Sequence, residues 1–157
     1  MLLTVFQKLE ASAIGEAIRS SVWLFPVVEA FHLVALGIIG GAILVVDFRL
    51  LGLGLRSHPV AKLLHDTQPW VIGSLGVMLV SGVALFLSEA IKCYYSFAFW
   101  TKMTALALAI IFTFTIRRYV ASAPEGRFSA TVRQVVAATS LALWAIVAWG
   151  GRWIGFS

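Results

Sequence analysis

The sequence predicts an all-α fold: a transmembrane four-helix bundle with an N-terminal amphipathic helix in the interface plane. Three observations predict it. Of 157 residues, 61 % are apolar and only 12 % charged, against roughly 25 % charged in ordinary globular domains. Four long apolar stretches occur, near 23–46, 70–87, 97–116 and 132–149, each close to the ~20 residues that a bilayer-crossing helix needs. Most Lys and Arg gather between those stretches. Residues 1–157 therefore read as one integral membrane domain, with no room for a soluble domain in the connections.

The N-terminal twenty residues are not a signal peptide, because Lys8, Glu10, Glu16 and Arg19 interrupt them. Val5, Phe6, Leu9, Ala13, Ile14, Ala17 and Ile18 recur at helical spacing, with Gln7, Lys8, Ser12, Glu16 and Arg19 largely elsewhere on the wheel. That pattern suits either an interfacial amphipathic helix or a short helix packed on the bundle. Span one opens at Trp23 with Pro26 in its first turn. Span two follows Pro69, a residue tolerated where amides lack helical partners. Span three begins at Phe97 and stops at Arg117–Arg118, and span four ends at Trp149. Trp23, Trp70, Trp100, Trp149 and Trp153 fall near span ends, where amphipathic rings prefer the headgroup region. Gly37, Gly40 and Gly41 of span one and Gly73, Ser74, Gly76, Ser81 and Gly82 of span two permit close backbone approach. The expectation is that they pack these spans together or clear space for a flat ligand.

Charge distribution orients the chain. One face carries Lys8, Arg19, Lys92, Lys102 and Arg152, near the N-terminus, the 88–99 loop and the C-terminus; the other carries Arg49, Arg56, Lys62, Arg117, Arg118, Arg127 and Arg133, in or beside the 47–69 and 117–131 loops. The bias places the second set in the cytoplasm and both termini on the outer side. Membrane topology accounts for the net charge of +5, so nucleic acid is not an expected partner; lipids are. The single cysteine, Cys93, excludes an intrachain disulfide and a thiolate metal cluster. Asp47, Arg49, His65, Asp66, Arg117 and Arg118 read as a solvated, charge-paired rim on the cytoplasmic side, in which Asp47 can pair with Arg117 or Arg49; the functional alternative is docking of an anionic partner or a haem propionate.

Ionisable groups inside the spans carry the functional lead, because each needs a partner, a cavity or a job in hydrocarbon. Glu29 and His32 sit one turn apart, roughly 9 and 13 Å from the outer end at about 1.5 Å per residue. Lys102 lies two residues beyond Trp100, and Glu89 closes span two on the same side. His32 is the only histidine within a span. A neutral imidazole ligates haem iron, and a haem in a bundle takes one or two axial ligands from facing helices. Lys102 is the candidate second metal ligand beside His32, or an ion-pair partner of Glu29 or Glu89; Glu29 then competes for the amine. Met78 is a further candidate axial ligand or core filler. Phe31, Phe86, Phe97, Phe99 and Trp100 are candidate walls. His65 and His58 lie at the cytoplasmic side, too far along the span to share a site with His32.

The run from Trp23 through Pro26, Glu29 and His32, then Asp47-Phe48-Arg49-Leu50-Leu51-Gly52, resembles a family of small bacterial four-helix membrane proteins, DUF6644. The Phe99-Trp100-Thr101-Lys102 start of span three fits the same family. The resemblance covers most of the chain and implies the bacterial cytoplasmic membrane, with no established activity. A looser resemblance to HemJ-type protoporphyrinogen oxidases and CopD-like copper-resistance proteins implies haem-associated roles for His32 and Lys102. The expected function is a haem-b-binding membrane protein, an electron-transfer or anchor subunit with a quinone or redox protein as partner. Any enzyme activity would be that of a haem-dependent membrane oxidoreductase or its subunit. Two alternatives stand beside it: a cofactor-free structural or assembly subunit, whose polar groups would close on one another, and a transporter or channel subunit working as a homo-oligomer.

Overall fold

The computed structural model describes residues 1–155. Two short helices, α1 (Leu2–Glu10) and α2 (Ala13–Ser20), precede α3 (Leu24–Leu51) and α4 (Val60–Ser88). A one-and-a-half-turn helix, α5 (Ala90–Tyr95), leads into α6 (Phe97–Phe112). A π-helical turn, Thr113–Arg117, then joins α6 to α7 (Arg118–Ser122), and α8 (Ala130–Ile154) completes the chain. Four segments are long and apolar enough to cross a membrane: α3, α4, the continuous α6–π–α7 rod and α8. The fold is all-α, with four such helices in a bundle.

The helices outrun the apolar stretches. α3 continues through Asp47 and stops only at Gly52, whose φ of 79° places it in the left-handed region. α4 begins behind Pro59, so Pro69 lies inside the helix rather than in front of it. Proline there leaves the His65 carbonyl without its helical donor, on a turn where His65 and Asp66 are exposed and water can replace it. Ser129 caps α8 by accepting from Val132 N–H at 3.3 Å.

α3 packs along α4, and α8 lies against both α3 and α6, while α4 and α6 stay further apart. Ala35, Ile39, Ile43, Val71, Leu75 and Met78 build the central core with Ala105, Leu106, Ala109, Trp144 and Val147. Most of the glycines expected to pack span one on span two do not, Gly82 against His32 being the exception. A Cβ added at Gly37, Gly40, Gly41, Gly73 or Gly76 meets nothing within 4 Å. These positions face away from the bundle, and β-branched and long side chains make the α3–α4 seam instead.

Two N-terminal helices form rather than one, because Ser12 turns the chain and caps α2 through Gly15 N–H at 3.3 Å. Both pack on the bundle. Gly15 of α2 lies so close to the end of α4 that a Cβ there would stand 2.3 Å from the Leu87 carbonyl oxygen. Glu10 accepts from Ile91 N–H at 2.6 Å and pairs with Arg19 at 3.4 Å. Arg19 also donates to the Ser88 carbonyl at 3.3 Å. Phe6 of α1 enters an aromatic cluster with Phe86, Tyr94 and Trp100. The N-terminus thus covers the end of the bundle at which α4 hands over to α5 and α6.

Candidate functional site

The wider spacing of α4 and α6 leaves a cavity of about 210 Å³ at that same end. His32 and Glu29 from α3, Phe86 and Glu89 from the end of α4, and Phe99 and Lys102 from α6 line it. The sequence-predicted residues His32, Lys102, Glu29 and Glu89 are therefore brought to one place. Phe86 and Phe99 stack with ring centroids 5.5 Å apart and planes 13° from parallel, forming an aromatic wall.

His32 is held by a short hydrogen-bond chain. The Ser81 hydroxyl donates to the Val77 carbonyl at 2.6 Å, one helical turn back. Its proton is thereby engaged, so at 2.9 Å from His32 Nδ1 the Ser81 oxygen acts as acceptor. The imidazole is then the Nδ1–H tautomer, with the lone pair on Nε2. No hydrogen bond engages Nε2 among the described residues. Gly82 makes room for the ring: a Cβ there would stand 3.2 Å from His32 Cε1. Thus α4 supplies both the orienting hydroxyl and the gap.

Lys102 is accommodated in the same way by α8. A Cβ at Gly150 would stand 2.9 Å from Lys102 Cβ, and one at Gly151 3.2 Å from Nζ. The Gly150–Gly151 pair is a trough for the lysine stem. The expected ion pair of Lys102 with Glu29 or Glu89 does not form among the described residues; Glu89 pairs with Lys92 instead, at 3.9 Å. Glu29 is exposed at the cavity rather than drawn inside. Cys93 also borders the cavity, and burial, with the nearby Glu89 carboxylate, pushes its thiol up to about 11.

Other expected members lie elsewhere. Met78 is 3 % exposed and packs in the central core, which fits the core-filler reading. Phe31 faces outward into an apolar groove with Val34, Ile38 and Trp70, on a different surface from the cavity. Phe97 and Trp100 are exposed, so only Phe86 and Phe99 of the expected aromatics serve as walls. His58 and His65 are exposed near the opposite end.

A second polar cluster lies near that opposite end. Asp47 lies fifteen residues beyond His32, as Arg117 lies fifteen beyond Lys102, about 22 Å along each helix at about 1.5 Å per residue. Arg117 Nε donates to Asp47 Oδ1 at 2.7 Å, and its NH2 group donates to the Ile43 carbonyl at 3.2 Å. Asp47 is fully buried and Arg117 is 2 % exposed, so this pair is an interior tie between α3 and the third span, not part of a solvated rim. The Ser140 hydroxyl of α8 is buried facing the Asp47 carboxylate, and Asp47 Oδ2 is buried as well. The π-helical turn ends at Arg117, and its first residue, Thr113, accepts from Trp144 Nε1 at 3.1 Å. The signal missed in the sequence was the equal spacing of the two pairs, which puts Asp47 and Arg117 at one depth on two parallel helices.

No group of three or more His, Cys, Asp and Glu side chains is arranged to hold a bare metal ion among the described residues. No curated protein and no solved structure matches the chain. A model of a family of unknown function, DUF6644, matches residues 6–157. The chain belongs to that DUF6644 family of small four-helix membrane proteins.

Proposed function

We propose that this membrane protein binds haem b in the cavity between α4 and α6 and serves as an electron-transfer or anchor subunit. The observation that carries the reading is the 2.9 Å contact of His32 Nδ1 with Ser81, which leaves Nε2 without a hydrogen-bond partner among the described residues at a cavity shared with Lys102. An imidazole and an amine are too few donors for a bare ion, but His32, with Lys102, would hold the iron of a macrocycle that brings nitrogens of its own. A histidine whose other ring nitrogen donates a hydrogen bond is the usual arrangement for a metal-bound imidazole. The stacked Phe86 and Phe99 rings offer a flat apolar wall. A volume of about 210 Å³ is below the ~300–1,000 Å³ of sites that engulf a drug-sized ligand. The macrocycle would therefore be embraced along one edge, with the remainder facing the bilayer or a partner subunit. The resemblance to HemJ-type proteins points the same way.

Bound there, haem supplies one-electron redox chemistry. The protein's own contribution is orientation and exclusion of water: Ser81 aligns His32, Gly150 and Gly151 seat Lys102, and α1 covers the end of the bundle through Phe6. A cofactor-free scaffold would be expected to close its polar groups on one another. Glu29, His32 and Lys102 instead line a cavity and make no hydrogen bond or ion pair with one another among the described residues.

The test is the optical spectrum of the protein purified in mild detergent from cells grown with a haem precursor. A Soret band that shifts on dithionite reduction is expected. His32→Ala should abolish it, while Lys102→Ala should displace it or weaken binding. A colourless protein that also fails to take up added haemin, with helicity intact, would refute the reading.

A further inference from the structure

At the opposite end of the bundle, a second cavity of about 230 Å³ opens between the α3–α4 connection and the α7–α8 connection. Its walls are mostly apolar: Leu50 closes α3, Val60 opens α4, Val120 belongs to α7, and Phe128 precedes α8. Arg133, in the first turns of α8, also lines it. Arg133 Nε is buried without a hydrogen-bond partner, and the side chain makes no hydrogen bond or ion pair among the described residues. Three other arginines near this cavity have partners on the chain. Arg49 pairs with Glu125 at 3.3 Å, Arg56 donates to the Gly52 carbonyl, and Arg127 donates to the Tyr119 hydroxyl at 3.0 Å while lying over the Phe128 ring.

The charges around this cavity do not balance. Its one carboxylate, Glu125, is matched by Arg49. The Arg133 guanidinium is matched by no carboxylate among the described residues. The N-terminus of the 25-residue α8 adds partial positive charge, and no acidic residue sits in its first turn to offset it. Arg133 is half-buried, with its Nε shut off from water; a guanidinium so placed and unmatched calls for an anion, and its planar fork of donors suits phosphate oxygens. The position narrows the choice. Arg133 stands a few residues inside the end of a membrane-crossing helix, which is headgroup depth. The apolar walls suit glycerol and acyl carbons and do nothing for a fully hydrated free ion.

We propose that this cavity is a phosphodiester site that holds the headgroup of an acidic membrane phospholipid, with Arg133 as the anion ligand. The lipid fixes the α3–α4 and α7–α8 connections to each other from outside the chain. This site is independent of His32 and of any cofactor.

Native mass spectrometry of the detergent-purified protein tests it, with phosphatidylglycerol, phosphatidylcholine and inorganic phosphate as separate probes. One phosphatidylglycerol per chain should be retained under activation that strips phosphatidylcholine, whose own choline already neutralises its phosphate. Arg133→Gln should weaken that retention roughly tenfold or more, the scale of a hydrogen bond to a charged group. Arg133→Lys should fall between the two. Arg127→Gln, on the same surface, should retain the adduct. Ala61→Leu narrows an apolar wall without touching a charge and should also lose the lipid; it decides the matter if Arg133→Gln alters folding. Equal retention of both lipids, retention unchanged in Arg133→Gln and Ala61→Leu, or binding of inorganic phosphate in place of the lipid would overturn the proposal.

Discussion

The Ser81 hydroxyl, its proton already given to the Val77 carbonyl, offers His32 an acceptor beside the Met78 backbone carbonyl. Nitrogen NMR of labelled histidine should find His32 in one tautomer, protonated at Nδ1. Ser81→Ala should mix the tautomers and, if haem is bound, weaken its retention roughly 10–100-fold, the usual effect of removing a partner behind a metal-bound histidine. An unchanged tautomer would mean that another acceptor orients the ring. Asp47 and Arg117 make a different kind of residue-scale statement. Removing one member of a buried ion pair strands the other, so Arg117→Met should cost roughly 3–5 kcal/mol. Adding Asp47→Leu should recover most of that loss, because the uncompensated carboxylate disappears as well. Thermal unfolding in detergent measures both variants. A double variant no better than the single would show that Arg117 matters through the Ile43 carbonyl rather than through Asp47.

Among the elements, α2 and α5 are held by close contacts that leave little slack. Gly15→Ala would drive a methyl into the Leu87 carbonyl, an overpacking worth about 1–3 kcal/mol. The simplest relief is for α1 and α2 to lift off, so proteolysis or hydrogen exchange within residues 1–20 should rise while the four long helices keep their melting temperature. A uniform loss of stability would place α2 in the bundle core instead. In α5, the Cys93 thiol titrates at about 11 because burial, and then the Glu89 carboxylate, disfavours the thiolate. The folded state therefore holds its proton where the unfolded chain, with an ordinary value of 9.0, has lost it. That contribution to stability is intact below pH 9 and is lost as the pH rises through about 11. Alkylation by iodoacetamide should be slow at neutral pH and faster in Glu89→Gln, which removes a charge opposed to the thiolate. Rapid labelling of the native protein at pH 7 would contradict the burial of Cys93. The π-helical turn belongs to this scale as well. It ends at Arg117 and places Thr113 against Trp144, so the irregular stretch of span three coincides with its buried polar contacts.

For the whole molecule, two polar sites lie about 22 Å apart along the bundle, with the apolar core of Ile39, Ile43, Leu75 and Met78 between them. If His32 holds a haem as proposed, only apolar core separates it from the Asp47–Arg117 end among the described residues, and transfer across the whole membrane would need a partner. The two ends should also face opposite compartments. Single cysteines at Ser20 and Ser57, both exposed, in a Cys93→Ser background should react with an impermeant maleimide from opposite sides. The Lys and Arg bias predicts Ser57 on the cytoplasmic side. Labelling of both from one side would remove the four-span topology.

The sequence by itself determined the helical class, the number of spans and the convergence of Glu29, His32 and Lys102 on one end. Those follow from runs of apolar residues and from depth counted along a helix, which are local properties of the chain. It also marked Met78 as core filler as readily as ligand, and the core claimed it. Tertiary structure decided the rest. Whether Lys102 meets Glu29 or rests on Gly150–Gly151, whether Asp47 is solvated or buried on Arg117, and whether the glycines of α3 and α4 face each other or outward are questions of rotation about helix axes. An almost uniformly apolar helix has no strong polar face to reveal that rotation. In α3 it is fixed by contacts with three other helices, between residues far apart in the chain, and no periodicity within one segment records them.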